Sequence, residues 1–123
     1  MWLLGAIGVI EGDYATAQAW YTECLLADHK IGLYIQFPEC LIGLASIASS
    51  EQRFDRAALL IGPAEAEIAA RQVPLEVFDQ AELQRLKALL SAELGEPSFE
   101  ALAAKGRAMS REQIIVFALE EIK

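Results

Sequence analysis

Apolar and polar residues follow one another along this chain with the spacing of amphipathic helices, interrupted at short breaks. β-Branched residues are sparse and no segment alternates apolar with polar positions for long, so no strand is predicted. The longest uninterrupted pattern covers residues 75–94, where leucines recur every three or four positions and predict one apolar stripe. That stripe comprises Leu83, Leu86, Leu90 and Leu94, widened by Val77, Phe78, Ala81 and Leu89. The pattern therefore predicts an all-α fold.

The breaks divide the chain into about seven predicted helices. Proline is tolerated in a first helical turn, so the third helix, which contains Pro38, is expected to begin near Phe37. The Gly62-Pro63 pair lies inside the fourth helix and predicts a kink there, because proline removes a backbone donor. The predicted helices cover residues 2–11, 14–28, 33–50, 54–71, 75–94 and 97–105, and a last helix follows residue 110.

Signals for helix ends are clearest in the second half of the chain. Gly95 suits a C-terminal cap, and Pro97 suits the first turn of the next helix. Ser110 and Gln113 form a capping box, in which each side chain can accept a hydrogen bond from the backbone N–H of the other residue. These signals mark the limits of the last three predicted helices.

Length, composition and charge restrict the classes of protein to which the chain can belong. Its 123 residues suit one compact domain, assigned to residues 1–123, and a hydrophobic content of 54% supports a packed core. The formal net charge is −8, so the surface repels phosphate groups and direct nucleic-acid binding is not expected. Residues 1–72 carry −5 of this charge and residues 73–123 carry −3, which favours basic or apolar partner segments.

The apolar stretch at residues 1–10 is expected to be neither a signal peptide nor a membrane span. It has no basic leading residues, it stops at Glu11, and it falls short of the roughly 20 residues that a membrane-spanning helix needs. We interpret it as a buried helix and predict a cytoplasmic protein.

Few residues are suited to catalysis or metal binding. His29 is the only histidine, and Cys24 lies five positions before it, which is not a spacing that brings side chains together on a helix. The carboxylates show no diagnostic spacing, and the sequence contains no phosphate loop, HExxH motif or dinucleotide fingerprint. No enzyme activity, cofactor or metal site is therefore predicted.

The two cysteines, Cys24 and Cys40, allow two interpretations. The first is that both are small core residues of a protein in a reducing compartment. The alternative is a disulfide between them, which requires Cα atoms within about 7 Å.

Two stretches of the chain align with each other at an offset of 40 residues. Tyr14 aligns with Phe54 and Ala17 with Ala57, in each case an aromatic residue followed three positions later by alanine. A small residue lets antiparallel helices approach closely, and a helix pair that cannot bury its apolar face alone must stack on another. The sequence therefore predicts an internal repeat of helix pairs.

The first repeat unit resembles the tetratricopeptide repeat. Its signature residues are Leu4, Gly5, Gly12, Asp13, Tyr14, Ala17, Tyr21 and Leu25. The 40-residue offset is longer than the roughly 34 residues usual for this repeat. This offset, together with the segments at residues 56–66 and 94–110, resembles the tetratricopeptide-like C-terminal region of large bacterial signalling ATPases and LuxR-type transcriptional regulators. The resemblance implies an antiparallel helix-pair solenoid, with two repeat pairs in residues 1–72 and a C-terminal helical cap in residues 73–123.

The same resemblance implies a non-catalytic protein–protein interaction or regulatory module in signal transduction. The expected partners are another protein or the upstream domains of a longer parent, of which this chain is either a fragment or a short separate gene product. An uncovered N-terminal helix predicts a homodimer. The partner surface is expected on the concave side, with the candidate residues Trp2, Ile7, Tyr34, Phe37, Leu41 and Ile42. The alternative is a small-effector-binding regulatory domain of a transcription factor, which predicts an enclosed apolar cavity.

Overall fold

A computed structural model describes residues 14–32, 36–71 and 75–120. Within these ranges the chain is all-α and forms six helices, so the fold-class prediction is confirmed at that level. The helix predicted at residues 2–11 lies outside the described residues. The six helices are α1 (Tyr14–Ile31), α2 (Phe37–Ser50), α3 (Phe54–Ala70), α4 (Val77–Leu94), α5 (Glu96–Arg107) and α6 (Arg111–Glu120).

The limits of these helices follow local sequence signals. α2 begins at Phe37 with Pro38 in its first turn, as predicted. α4 ends at Gly95, whose φ of 85° lies in the left-handed region that favours glycine. The predicted capping box precedes α6: Ser110 Oγ accepts a hydrogen bond from the Gln113 N–H at 3.1 Å, and Gln113 Oε1 accepts one from the Ser110 N–H at 2.8 Å.

The central element of the fold is α2. It packs against α1, α3 and α4, and twelve of its fourteen residues are buried. α3 packs against α2, α4 and α5, while α4 packs against α5 and α6 contacts α1. As a result α2 and α4 lie side by side, and so do α3 and α5. Ala17 and Ala57, which the repeat places at equivalent positions, are both fully buried.

α3 and α5 cross at two glycines. A Cβ added at Gly62 would overlap the carbonyl oxygen of Ala103 and lie 2.7 Å from its carbonyl carbon. One added at Gly106 would overlap the carbonyl oxygen of Leu59 and lie 2.9 Å from its carbonyl carbon. The two backbones are therefore in direct contact, and this approach requires residues without side chains.

α3 runs without interruption from Phe54 to Ala70 although Pro63 lies inside it. Proline has no N–H, so the carbonyl oxygen of Leu59, four residues earlier, receives no helical hydrogen bond from position 63. Gly106 of α5 packs directly over this same carbonyl oxygen. The helix crossing therefore covers the backbone oxygen that the proline leaves without its usual donor.

Arg56 of α3 holds the C-terminal helix in place. Its guanidinium donates hydrogen bonds to the carbonyl oxygens of Phe117 and Ala118, both at 3.2 Å, and lies 4.4 Å from the centroid of the Phe117 ring. The last carbonyl oxygens of a helix lack donors within the helix, so Arg56 supplies hydrogen bonds that α6 cannot make itself.

Both cysteines are free, buried core residues, as the first interpretation predicts. The Cys24 thiol donates a hydrogen bond to Gln36 Oε1 at 3.1 Å. Burial, followed by the neighbouring Cys24 thiol, raises the pKa of Cys40 well above its ordinary value. The pair therefore packs α1 against α2 without a disulfide.

Candidate functional site

The partner residues predicted from the sequence are distributed between the core and the undescribed segments. Outside the described residues lie Trp2, Ile7 and Tyr34. The other three, each at most 1% exposed, are Phe37, Leu41 and Ile42. All three belong to α2, which is enclosed by three other helices, so they form core and not an open binding surface. The physical reason is that α2 has neighbours on nearly every side, a fact that its own apolar pattern does not reveal.

The apolar side chains exposed near α2 lie instead at the start of α4. Val77 is 81% exposed and Phe78 is 46% exposed, although the sequence pattern assigned both to the buried stripe. Counting back four positions from Leu83 along the stripe reaches Asp79, which is only 4% exposed. The buried face of α4 therefore continues through an acidic residue. The four-residue spacing between Asp79 and Leu83 is the sequence signal from which the burial of Asp79 could have been predicted.

A small niche opens beside these exposed residues, between α1, α2 and α4; we refer to it as the α2–α4 niche. Its volume is about 10 Å³, the space of a single water-sized group. The Tyr21 ring packs directly on Gly43 at one side, where a Cβ would overlap the ring. The other lining residues are Ile42, Ser46, Phe78, Asp79 and Glu82. The niche thus combines an apolar rim with several polar groups.

Two carboxylates near this niche have cationic partners. Glu39 accepts two hydrogen bonds from Arg71, at 3.1 and 2.7 Å. Glu82 accepts two from Arg85, both at 2.7 Å, and one more from the Ser46 hydroxyl. Burial opposes the charge of Glu82, but the hydrogen bonds from Arg85 and Ser46 outweigh that effect and lower its pKa. Glu82 is therefore stabilised in the ionised form.

Asp79 lacks such compensation. Its Oδ2 atom is buried and has no hydrogen-bond partner among the described residues. Burial, followed by the charges of Glu39 and Glu76, raises the pKa of Asp79 to about 6, while Arg71 acts in the opposite direction. A buried carboxylate oxygen without a partner destabilises a fold, so its presence calls for a specific reason.

Two larger depressions lie elsewhere on the surface. One, of about 300 Å³, is bordered by Val116 and Phe117 of α6. The other, of about 340 Å³, lies between Ile68 of α3 and Leu83 of α4. Both are open to solvent, whereas the small-effector alternative predicts an enclosed cavity.

Among the described residues, no group of three or more His, Cys, Asp or Glu side chains is arranged to hold a metal ion. None of the described helices has both the length and the apolar character needed to cross a membrane. Comparison with protein-family models, with curated proteins and with solved structures finds no match to this chain.

Proposed function

We propose that this protein is a non-catalytic protein-interaction module of stacked helix pairs, similar to the tetratricopeptide-like C-terminal region of large bacterial signalling ATPases and LuxR-type transcriptional regulators. The packing order supports the proposal. α2 and α3, the second predicted helix pair, pack against each other, and two helices of the predicted cap lie against this pair, α4 beside α2 and α5 beside α3. Helix-pair repeats bury a continuous core in this way and bind partners on the faces that remain exposed.

The observation that carries the proposal is the exposed apolar pair at the start of α4. Phe78 is 46% exposed and lines the α2–α4 niche, and Val77, which precedes it in α4, is 81% exposed. Aromatic side chains contribute disproportionately to the energy of protein interfaces, because they bury a large area with few rotatable bonds. We call Val77, Phe78 and the adjoining niche the Phe78 surface, and we assign the partner to it.

This assignment moves the partner surface to α4, which the sequence pattern placed in the C-terminal cap at residues 73–123. In stacked helix pairs, the concave side is lined by the first helix of each pair, and in the predicted repeats these are the helix at residues 2–11 and α2. The exposed apolar contacts come from α4, because α2 is enclosed.

Photocrosslinking in the native host tests the proposed function. A photoreactive phenylalanine analogue at Phe78 is expected to give a discrete crosslinked product with a partner protein. The matched control is the same analogue at Val116, another exposed apolar position, 56% exposed on α6. Products of equal yield at both positions, or none at Phe78, would contradict the assignment.

The predicted homodimer has a separate test. Self-association through residues 2–11 would appear as a concentration-dependent sedimentation coefficient in the micromolar range. Replacing Trp2 with glutamate should then restore the monomer. A wild-type chain that remains monomeric throughout this range would rule out the homodimer and leave the hetero-interaction proposal intact.

A further inference from the structure

The α2–α4 niche holds a negative charge without a compensating donor. Asp79 is 4% exposed and lines the niche, and its Oδ2 has no hydrogen-bond partner within the described part of the chain. Glu39 and Glu82, in contrast, are each held by two hydrogen bonds from an arginine. Of these three carboxylates, Asp79 is therefore the one with a buried oxygen that receives no hydrogen bond from the described residues.

The surrounding charges also favour a cation. Burial, Glu39 and Glu76 all raise the pKa of Asp79, and Glu82 acts on it in the same direction, against the opposing effect of Arg71. An added positive charge beside Asp79 would be attracted chiefly by Asp79 itself, since Glu39 and Glu82 are already paired with arginines, and this attraction would be screened little in a buried site.

The size and lining of the niche restrict what kind of cation fits. A volume of about 10 Å³ admits one water-sized group. A primary ammonium is compact and carries three N–H donors, whereas a guanidinium is planar and wider. Glu82 and the Ser46 hydroxyl line the same niche and provide acceptors beside Asp79. Phe78 lies at the rim, where its ring can pack against the methylene chain of a lysine.

We infer that the niche binds a primary ammonium group, presented as a lysine side chain by the protein segment that docks on the Phe78 surface. This inference rests on the proposed function and specifies its partner: a segment with a lysine next to an apolar residue. Phe78 contacts the apolar residue, and Asp79 receives the ammonium.

Peptide titrations followed by NMR test the inference on the isotope-labelled chain of 123 residues. The probes are three capped tripeptides, with lysine, arginine or norleucine between two leucines. At low salt, the lysine peptide is expected to shift the amide signals of Gly43 and Ser46 saturably. It should bind at least about tenfold more tightly than the other two. Binding should also move the titration midpoint of the Asp79 carboxyl carbon to lower pH.

Two variants provide the controls. Asp79→Asn removes the charge with little change in shape and should reduce lysine-peptide affinity by about tenfold or more. Asp55→Asn removes the same charge from an exposed site on α3 and should leave the affinity unchanged. Equal affinity for the three peptides, or equal behaviour of the two variants, would overturn the inference. It would also fail if potassium chloride shifted the Gly43 and Ser46 signals as strongly as methylammonium chloride does, since the niche would then hold an inorganic cation.

The photocrosslinking experiment separates failure of this inference from failure of the proposed function. A crosslink at Phe78 that persists at full yield in Asp79→Asn means that a partner docks there without inserting an ammonium, so only the inference fails. Loss of the crosslink in Asp79→Asn but not in Asp55→Asn supports the inference. Absence of any Phe78 crosslink in the wild-type protein contradicts the proposed function itself.

Discussion

Replacing Gly106 with alanine tests whether α3 and α5 are held at backbone contact. At an uncrowded helix position this change stabilises a protein by about 1 kcal/mol, because alanine has the higher helix propensity. Here the new Cβ would lie 2.8 Å from Cδ of Pro63 and 2.9 Å from the carbonyl carbon of Leu59, and it would overlap the Leu59 oxygen. These are backbone and ring atoms, so no change of rotamer relieves the overlap and the two helices must separate.

The cost of that separation exceeds the gain in propensity. Overpacking a core by a single group destabilises by about 1–3 kcal/mol, and by more when the obstruction cannot move. We therefore expect Gly106→Ala to lower the free energy of unfolding by about 2–4 kcal/mol, with a fall in Tm of roughly 8–15 °C. Gly62→Ala, which meets the Ala103 backbone, should have a similar effect.

Urea denaturation followed by far-UV circular dichroism measures these differences. The double variant should lose less stability than the sum of the single variants, because the first Cβ already separates the helices. Gly95→Ala is the control: no atom lies within 4 Å of its added Cβ, so only the strain of its positive φ remains. A Gly106→Ala variant as stable as the wild type, or more stable, would refute the reasoning.

Three further predictions concern single side chains. Gln52 adopts a φ of 62° in the turn between α2 and α3, so Gln52→Gly should raise the free energy of unfolding by about 0.5–1 kcal/mol in urea denaturation; a decrease would contradict this. The pKa of Asp79 is about 6 in the folded protein and lower in the unfolded chain, so the native state binds more protons and stability should fall as pH rises from 4 to 7. This fall in stability should amount to about 1–3 kcal/mol and disappear in Asp79→Asn. The same pH profile in both proteins would show that Asp79 is not the cause of the pH dependence. Glu39→Gln breaks a pair with Arg71 whose side chains are only 10% and 19% exposed, and it should cost about 1–3 kcal/mol near neutral pH; a double-mutant cycle with Arg71 that shows no coupling would argue against a stabilising pair.

The local structure of this protein is largely determined by its sequence. The start of α2 at Phe37, the end of α4 at Gly95 and the Ser110–Gln113 capping box were all predictable. Each depends on residues within a few positions of one another, through proline geometry, a left-handed glycine or a reciprocal hydrogen bond. Interactions of such short range do not depend on how the helices pack.

The candidate site could be predicted only in part. The sequence placed the partner surface on the helices predicted at residues 2–11 and 33–50, and within α2 it selected Phe37, Leu41 and Ile42, which are buried. It also counted Val77 and Phe78 as core, whereas they are exposed. An apolar residue on a helix gives the same sequence pattern whether a neighbouring helix or a partner protein covers it. Hydrophobicity alone therefore could not distinguish core residues from interface residues.

Only the tertiary structure decided which faces are covered. It buried Asp79 by placing α4 beside α2, and it exposed Phe78 on the adjoining face of the same helix. It also set Gly106 against the Leu59 carbonyl that Pro63 leaves without a helical donor, so α3 stays continuous through a proline. Burial, charge compensation and close helix contact depend on residues far apart in the chain. Their outcome is fixed by the packing of whole helices, while the helices themselves are encoded locally.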